Sequence, residues 1–172
     1  MKRIVLLLAV ALLFSCNAIR VNYDYDKEVD FTKYTTYNYY PDMQTGLSEL
    51  DTKRLLDAVD AEMQAKGIQL TEKPDFFINI ESNSFQKPRN NSVGVGLGGS
   101  GRSVGGGVSV GIPVGGPKME RQIRFDFVDN ENDKLFWQAE SQSPFKENVS
   151  PEAREETLRS LAVKVFAKYP PE

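Results

Sequence analysis

The sequence contains no histidine. This removes the commonest general base, the Ser-His and Cys-His nucleophile systems and the most frequent transition-metal ligand. Cys16 is the only cysteine in 172 residues. No disulfide can therefore close within the chain, and no thiolate cluster can hold zinc. A basic excess is also missing: the net charge is −3, which argues against a nucleic-acid partner that would require a positive face. The chain further lacks an apolar run long enough to cross a bilayer as a helix. The run from Ile4 to Phe14 holds eleven residues, against the roughly 20 that a span requires. Carboxylates, tyrosines and glycines remain as the chemistry to be read.

What is present begins at the N-terminus, MKRIVLLLAVALLFSC. Lys2 and Arg3 precede the short apolar run, and Ser15 and Cys16 follow it, the pattern of a secretory signal peptide over 1–15. Leu13-Phe14-Ser15-Cys16 resembles the bacterial lipobox, with Phe14 bulkier than the usual occupant of its position. The resemblance implies a diacylglyceryl group on the Cys16 thiol, cleavage before it and an N-acyl chain on the new terminus. One acyl chain anchors only marginally, so more than one is expected. Residues 16–19 then form a lipidated tether, and the mature chain carries a net charge of −5 once Lys2 and Arg3 are gone. No aspartate follows Cys16 to resemble an inner-membrane retention signal, and no acidic cluster resembles a surface-export signal. The expected location is the periplasmic face of the outer membrane.

Residues 20–172 are expected to form a single domain. Polar and apolar residues alternate over Arg20–Asp26, Phe76–Ser82 and Gln122–Asp129, the pattern of half-buried strands. Thr35–Tyr40 is β-branched and aromatic, and Pro41 stops it. The polar turn Asn130–Asp133 returns the chain into Leu135–Ala139, with Leu135, Trp137 and Ala139 expected on its inner face. A helix is expected from the cap Ser48 to Gly67, with Leu55, Leu56, Val59 and Met63 as its apolar stripe. A second helix follows Ser150-Pro151, with Leu158, Leu161, Ala162 and Val165 at helical spacing. The expected class is α+β: a mostly antiparallel sheet, two amphipathic helices packed on one face, and a glycine-rich hairpin or loop inserted at 92–117. The opposite face would be polar and solvated, or covered by a partner.

The chain resembles an uncharacterised bacterial envelope lipoprotein family, domain of unknown function 4136, from about Val21 to Pro170. The resemblance rests on Asp30-Phe31 with Tyr34 and Tyr37, Lys66-Gly67-Ile68, Pro74-Asp75-Phe76, Phe125–Asp129 leading to Leu135–Ala139, and the closing Phe166–Pro170. It implies a fold and an envelope location but neither a reaction nor catalytic residues.

Three groups remain as candidate sites. Asp126, Asp129 and Glu140 are the carboxylates that acid–base chemistry would use, although Asp126 alternates with phenylalanines and is expected on the polar sheet face near Arg124. Asp129–Asp133 loosely resembles a calcium loop, but a strand follows where that motif requires an exiting helix. Six tyrosines lie between Tyr23 and Tyr40; Tyr37, Tyr39 and Tyr40 are candidates for contacting a partner, since tyrosine joins a flat apolar ring to a hydroxyl. Eleven of the thirteen glycines lie between Ser92 and Gly116. The match to GxGxxG at Gly94–Gly99 is not followed by a helix, so it does not read as a nucleotide loop. Val93–Leu97 and Val108–Ile112 instead alternate around Gly98–Gly107 as the two arms of a hairpin, leaving Gly94, Gly96 and Gly98 on a bare face where a partner can approach. The expected function is a lipid-anchored, non-enzymatic envelope domain that binds another envelope protein or a cell-wall component. It would have no metal, nucleotide or other cofactor beyond the lipid on Cys16. A self-assembling structural protein and a carboxylate-dependent envelope hydrolase are the alternatives.

Overall fold

A computed structural model describes residues 19–87, 92–94, 111–113 and 118–171. The signal peptide, Cys16, Gly96 and Gly98 lie outside the described residues. In chain order the elements are β1 (Arg20–Tyr25), a 3-10 turn (Phe31–Lys33), β2 (Thr36–Tyr39), α1 (Glu49–Ala65), β3 (Gln69–Leu70), β4 (Phe76–Lys87), β5 (Ser92–Gly94), β6 (Gly111–Pro113), β7 (Lys118–Asp129), β8 (Leu135–Pro144) and α2 (Pro151–Phe166). Six strands form one sheet in the order β1-β8-β7-β4-β2-β3. The pairs β1–β8, β8–β7 and β7–β4 are antiparallel, and β4–β2 and β2–β3 are parallel. Strands β2 and β3 can run parallel because α1 carries the chain back between them. The architecture is α+β, with a mostly antiparallel sheet.

Alternation makes the core. Phe76, Ile78 and Ile80 of β4 and Ile123, Phe125 and Phe127 of β7 are buried on the same face. They meet Leu55, Val59 and Met63 of α1 and Leu158, Leu161, Ala162, Val165 and Phe166 of α2. Both helices start on the expected serines: Ser48 Oγ accepts from Asp51 N and Ser150 Oγ from Ala153 N. Gly67 follows α1 at φ +80°, where a side chain would be strained.

β8 differs from its reading. Leu135 is 51% exposed, while Phe136 and Trp137 are both buried. The register explains it: Phe127 faces Trp137 but Val128 faces Leu135, so Phe136 is an extra residue at a bulge. A bulge breaks the two-residue period and turns consecutive side chains inward. Phe136 then stacks on Tyr34 at 3.9 Å between ring centroids.

The described residues of the glycine-rich stretch share the register of its flanking strands. Residue numbers of every β4–β7 pair, from Phe76↔Asp129 to Lys87↔Lys118, add to 205. The β5–β6 pairs Ser92↔Pro113, Val93↔Ile112 and Gly94↔Gly111 keep that sum. The short β5–β6 ladder thus continues the β4–β7 hairpin frame beyond the six-stranded sheet.

Candidate functional site

The three candidate tyrosines divide between two faces. Tyr37 is buried at 1% exposure, so its ring is part of the core and offers no contact surface. Its hydroxyl donates to Asp60 Oδ1 at 2.6 Å, and the Tyr39 hydroxyl donates to the same oxygen at 2.7 Å. Burial first, then Asp60, pushes both phenols well above their ordinary range. The pair ties β2 to α1. Tyr40 faces the other way, its ring 5.2 Å from that of Phe77. Gly94 lies in β5 opposite Gly111.

Tyr40 opens onto the sheet face that, among the described residues, carries no helix. Side chains on this face form a polar ladder: Asn22 and Asp24 on β1, Gln138 and Glu140 on β8, Gln122, Arg124 and Asp126 on β7, and Asn79 and Glu81 on β4, each level with its neighbour in the register. A groove of about 600 Å³ runs along it, bounded by Tyr40, Met43, Asn79, Glu81, Asp126 and Leu135. Two of its carboxylates are paired with Arg124 of the ladder, which donates to Glu81 Oε2 at 2.6 Å and lies 3.2 Å from Asp126 Oδ2. Gln138 donates to the other Asp126 oxygen at 2.6 Å. Asp126 therefore sits where its alternation put it, on the polar face beside Arg124. It is an ion-paired, amide-bonded carboxylate rather than half of an acid–base pair.

Asp129 points to the opposite face. Its Oδ2 accepts from Lys33 Nζ at 2.8 Å and from the Tyr34 hydroxyl at 2.7 Å. Its Oδ1 accepts from the backbone N–H groups of Glu131 and Asn132 and from Asn132 Nδ2. Burial works against the charge, but Lys33, Tyr34 and the two backbone donors outweigh it and hold the carboxyl well below its ordinary range. Tyr34 is pushed up to about 12 by burial and by Asp129. Asp129 closes the β7–β8 turn. Among the described residues Glu140 accepts a side-chain hydrogen bond only from Gln142 on its own strand. Among the described residues no group of three or more Cys, Asp or Glu residues could hold a metal ion.

The motif residues are builders of the fold. Asp30 caps the 3-10 turn through Thr32, and Asp75 Oδ2 accepts from the backbone of Thr35 and Thr36 at 2.9 Å. Phe31 and Phe76 meet Tyr34 edge-on while Phe136 stacks on it, and Phe76, Phe136 and Tyr169 pack tilted or edge-on against Phe127. Sequence reading missed these partnerships because they join residues as far apart as Lys33 and Asp129.

The family model described as "Domain of unknown function (DUF4136)" matches residues 21–171. No curated protein matches the chain. Among solved structures, the chain is similar to a PDZ domain protein from Parabacteroides distasonis at 14% identity and TM-score 0.59, over 90% of this chain and 36% of that one. This chain thus spans little more than a third of that protein's length, and the likeness is one of fold. The PelC dodecamer from Paraburkholderia phytofirmans has 10% identity and TM-score 0.49, over 87% of this chain and 95% of that chain.

Proposed function

The chain belongs to the family of domain of unknown function 4136, and from that premise we propose that it is a lipid-anchored, non-enzymatic domain of the bacterial envelope that binds a partner protein or cell-wall component through its uncovered sheet face. The observation that carries the reading is the face itself. Helices cover one side of the sheet, while the other presents rows of amides and charges with the Tyr40–Phe77 pair at one end. Such a surface supplies many donors and acceptors in fixed rows, with an aromatic anchor. The carboxylates best placed for catalysis are occupied by internal partners, which favours binding over hydrolysis.

The anchor reading agrees with how the domain begins. Ile19 is 9% exposed, and its carbonyl accepts from Lys164 Nζ at 3.3 Å. Cys16 is three residues earlier, a reach of about 10 Å at most. A lipid there would hold the Arg20 end of β1 close to the membrane, with the periplasmic face of the outer membrane as the proposed site. Arg20 is level with Gln142, Gln122 and Asn83, at the sheet end from which β4 and β7 run on to Lys87 and Lys118. Glu120 bridges the two features, accepting from Arg20 and Lys87 at 3.0 Å each. The glycine-rich segment would then leave from the membrane-proximal end. Self-assembly through sheet edges gains less support: β3 has two residues, and β1 carries Arg20 and Asp24, features that blunt edge pairing.

Metabolic labelling with an alkyne fatty acid tests the anchor: the native chain labels and Cys16→Ser does not. Persistent labelling of Cys16→Ser would overturn the lipoprotein reading. Pull-down from solubilised envelopes with the anchor retained tests the binding role, and a monodisperse protein that turns over a wall fragment would sink it.

A further inference from the structure

A second concavity lies on the helix-covered side, between the ends of β7 and β8 and the first half of α2. Its volume is about 70 Å³. Ile123, Leu158 and Leu161 form its apolar wall, all buried. Arg121, Ser143, Lys146, Arg154 and Thr157 supply its polar lining.

The charge around this cavity is unbalanced. Asp51, 2% exposed, accepts from Arg54 at 3.0 Å on Oδ1 and from Arg154 at 2.9 Å on Oδ2. Arg154 also donates to the Glu147 carbonyl at 2.6 Å. Both oxygens of Asp51 are thus occupied before Arg121 arrives. Arg121 comes only to 4.0 Å from Oδ2, with its side chain 16% exposed. Its Nε donates to Ser84 Oγ at 3.3 Å, and its guanidinium lies 3.6 Å from the centre of the Phe145 ring. Ser84 and Phe145 therefore fix the plane of the group, and among the described residues its terminal nitrogens donate no hydrogen bond. Burial first, and then the Arg154 charge, disfavours its protonated form against the pull of Asp51. A rigid, half-desolvated cation that lacks a full partner is set up to receive an anion.

We propose that this cavity binds a small carboxylate joined to a short branched aliphatic group, with the carboxylate on Arg121 and Ser143 and the aliphatic part against Ile123, Leu158 and Leu161. Guanidinium donors in a planar fork match a carboxylate. The volume is about half the roughly 150 Å³ of an apolar cavity that admits benzene, so the aliphatic body is isobutyl-like and not a long chain. A free branched-chain acid and the C-terminal residue of a partner polypeptide share this chemistry. The inference does not depend on acylation of Cys16.

The test is a titration of the full chain in nonionic detergent, followed by NMR of the Leu158 and Leu161 methyls and the Arg121 side chain. Isovalerate should give saturable shifts at all three, acetate should bind about tenfold more weakly or worse for want of the apolar part, and isobutylamine should not bind. Arg121→Gln should weaken isovalerate about tenfold, with amide signals elsewhere unchanged. Leu161→Phe, which fills the apolar part, should abolish the effect by a separate route. A peptide ending in leucine with a free carboxylate, compared with its amide, separates the two sources: binding by the free form alone assigns a polypeptide C-terminus, and binding by isovalerate without either peptide assigns a free acid. No saturation with any carboxylate, equal binding of isobutylamine, or unchanged affinity in both variants would overturn the proposal.

Discussion

Asp129 accepts five hydrogen bonds from Lys33, Tyr34, Glu131 and Asn132, and its worth depends on pH in a defined sense. Its folded-state pKa lies below the ordinary 3.8. The stability it contributes is therefore fully present above that value and is lost as pH falls through the lower folded-state value. Asp129→Ala should cost about 3 kcal/mol at neutral pH and flatten the acid limb of a denaturation series; an unchanged acid limb would contradict this account. Asp51 and Asp75 are lowered in the same sense, so part of the limb should remain. Little of this was legible in the sequence. Asp129 could be read as part of a turn, but its two charged and phenolic partners sit 95 and more positions earlier. Asp126 was legible because strand alternation alone puts it beside Arg124. Tyr37 was misread as surface because a tyrosine in a strand looks the same whether its hydroxyl reaches solvent or, as here, Asp60.

Loops and caps allow a sharper test at the level of elements. Gly46 and Gly67 both have positive φ, +72° and +80°, yet their surroundings differ. A Cβ on Gly46 would lie 2.6 Å from the Ser82 carbonyl oxygen, while one on Gly67 would meet nothing within 4 Å. The Gly46 loop is clamped there because Ser82 N donates to the Thr45 carbonyl at 2.7 Å, so the backbone cannot retreat. Gly67→Ala should cost about 1 kcal/mol from conformation alone. Gly46→Ala should cost at least about twice that, read as a lower midpoint in urea; equal midpoints would contradict the clamp. The helices and the inner halves of β4 and β7 were legible because capping residues and apolar periodicity agree there. The outer half of β4, Glu81–Lys87, carries no apolar alternation, and pairing with β7 rather than burial makes it a strand. The bulge at Phe127–Val128 was invisible for a related reason: a bulge is a property of two strands, and Leu135–Ala139 read alone has an unbroken period.

The molecule as a whole has two unlike faces. One side of the sheet is buried by α1 and α2 with aromatic and aliphatic residues; the other is a row of Asn, Gln, Arg and carboxylate side chains held in register. Without Lys2 and Arg3 the domain carries a net charge of −5, and such a polar face is compatible with water as well as with a partner, so polarity alone does not distinguish solvation from docking. Position does. Photocrosslinking residues introduced singly at Asn79, Gln122 and Gln138 on the uncovered face, and at Asp57 on the exposed side of α1, can be activated in cells with the chain anchored. The account predicts adducts, to an envelope protein or to wall material, from the three sheet positions and none from Asp57. Adducts from Asp57 alone, or from none of the four with Cys16 labelled, would contradict it.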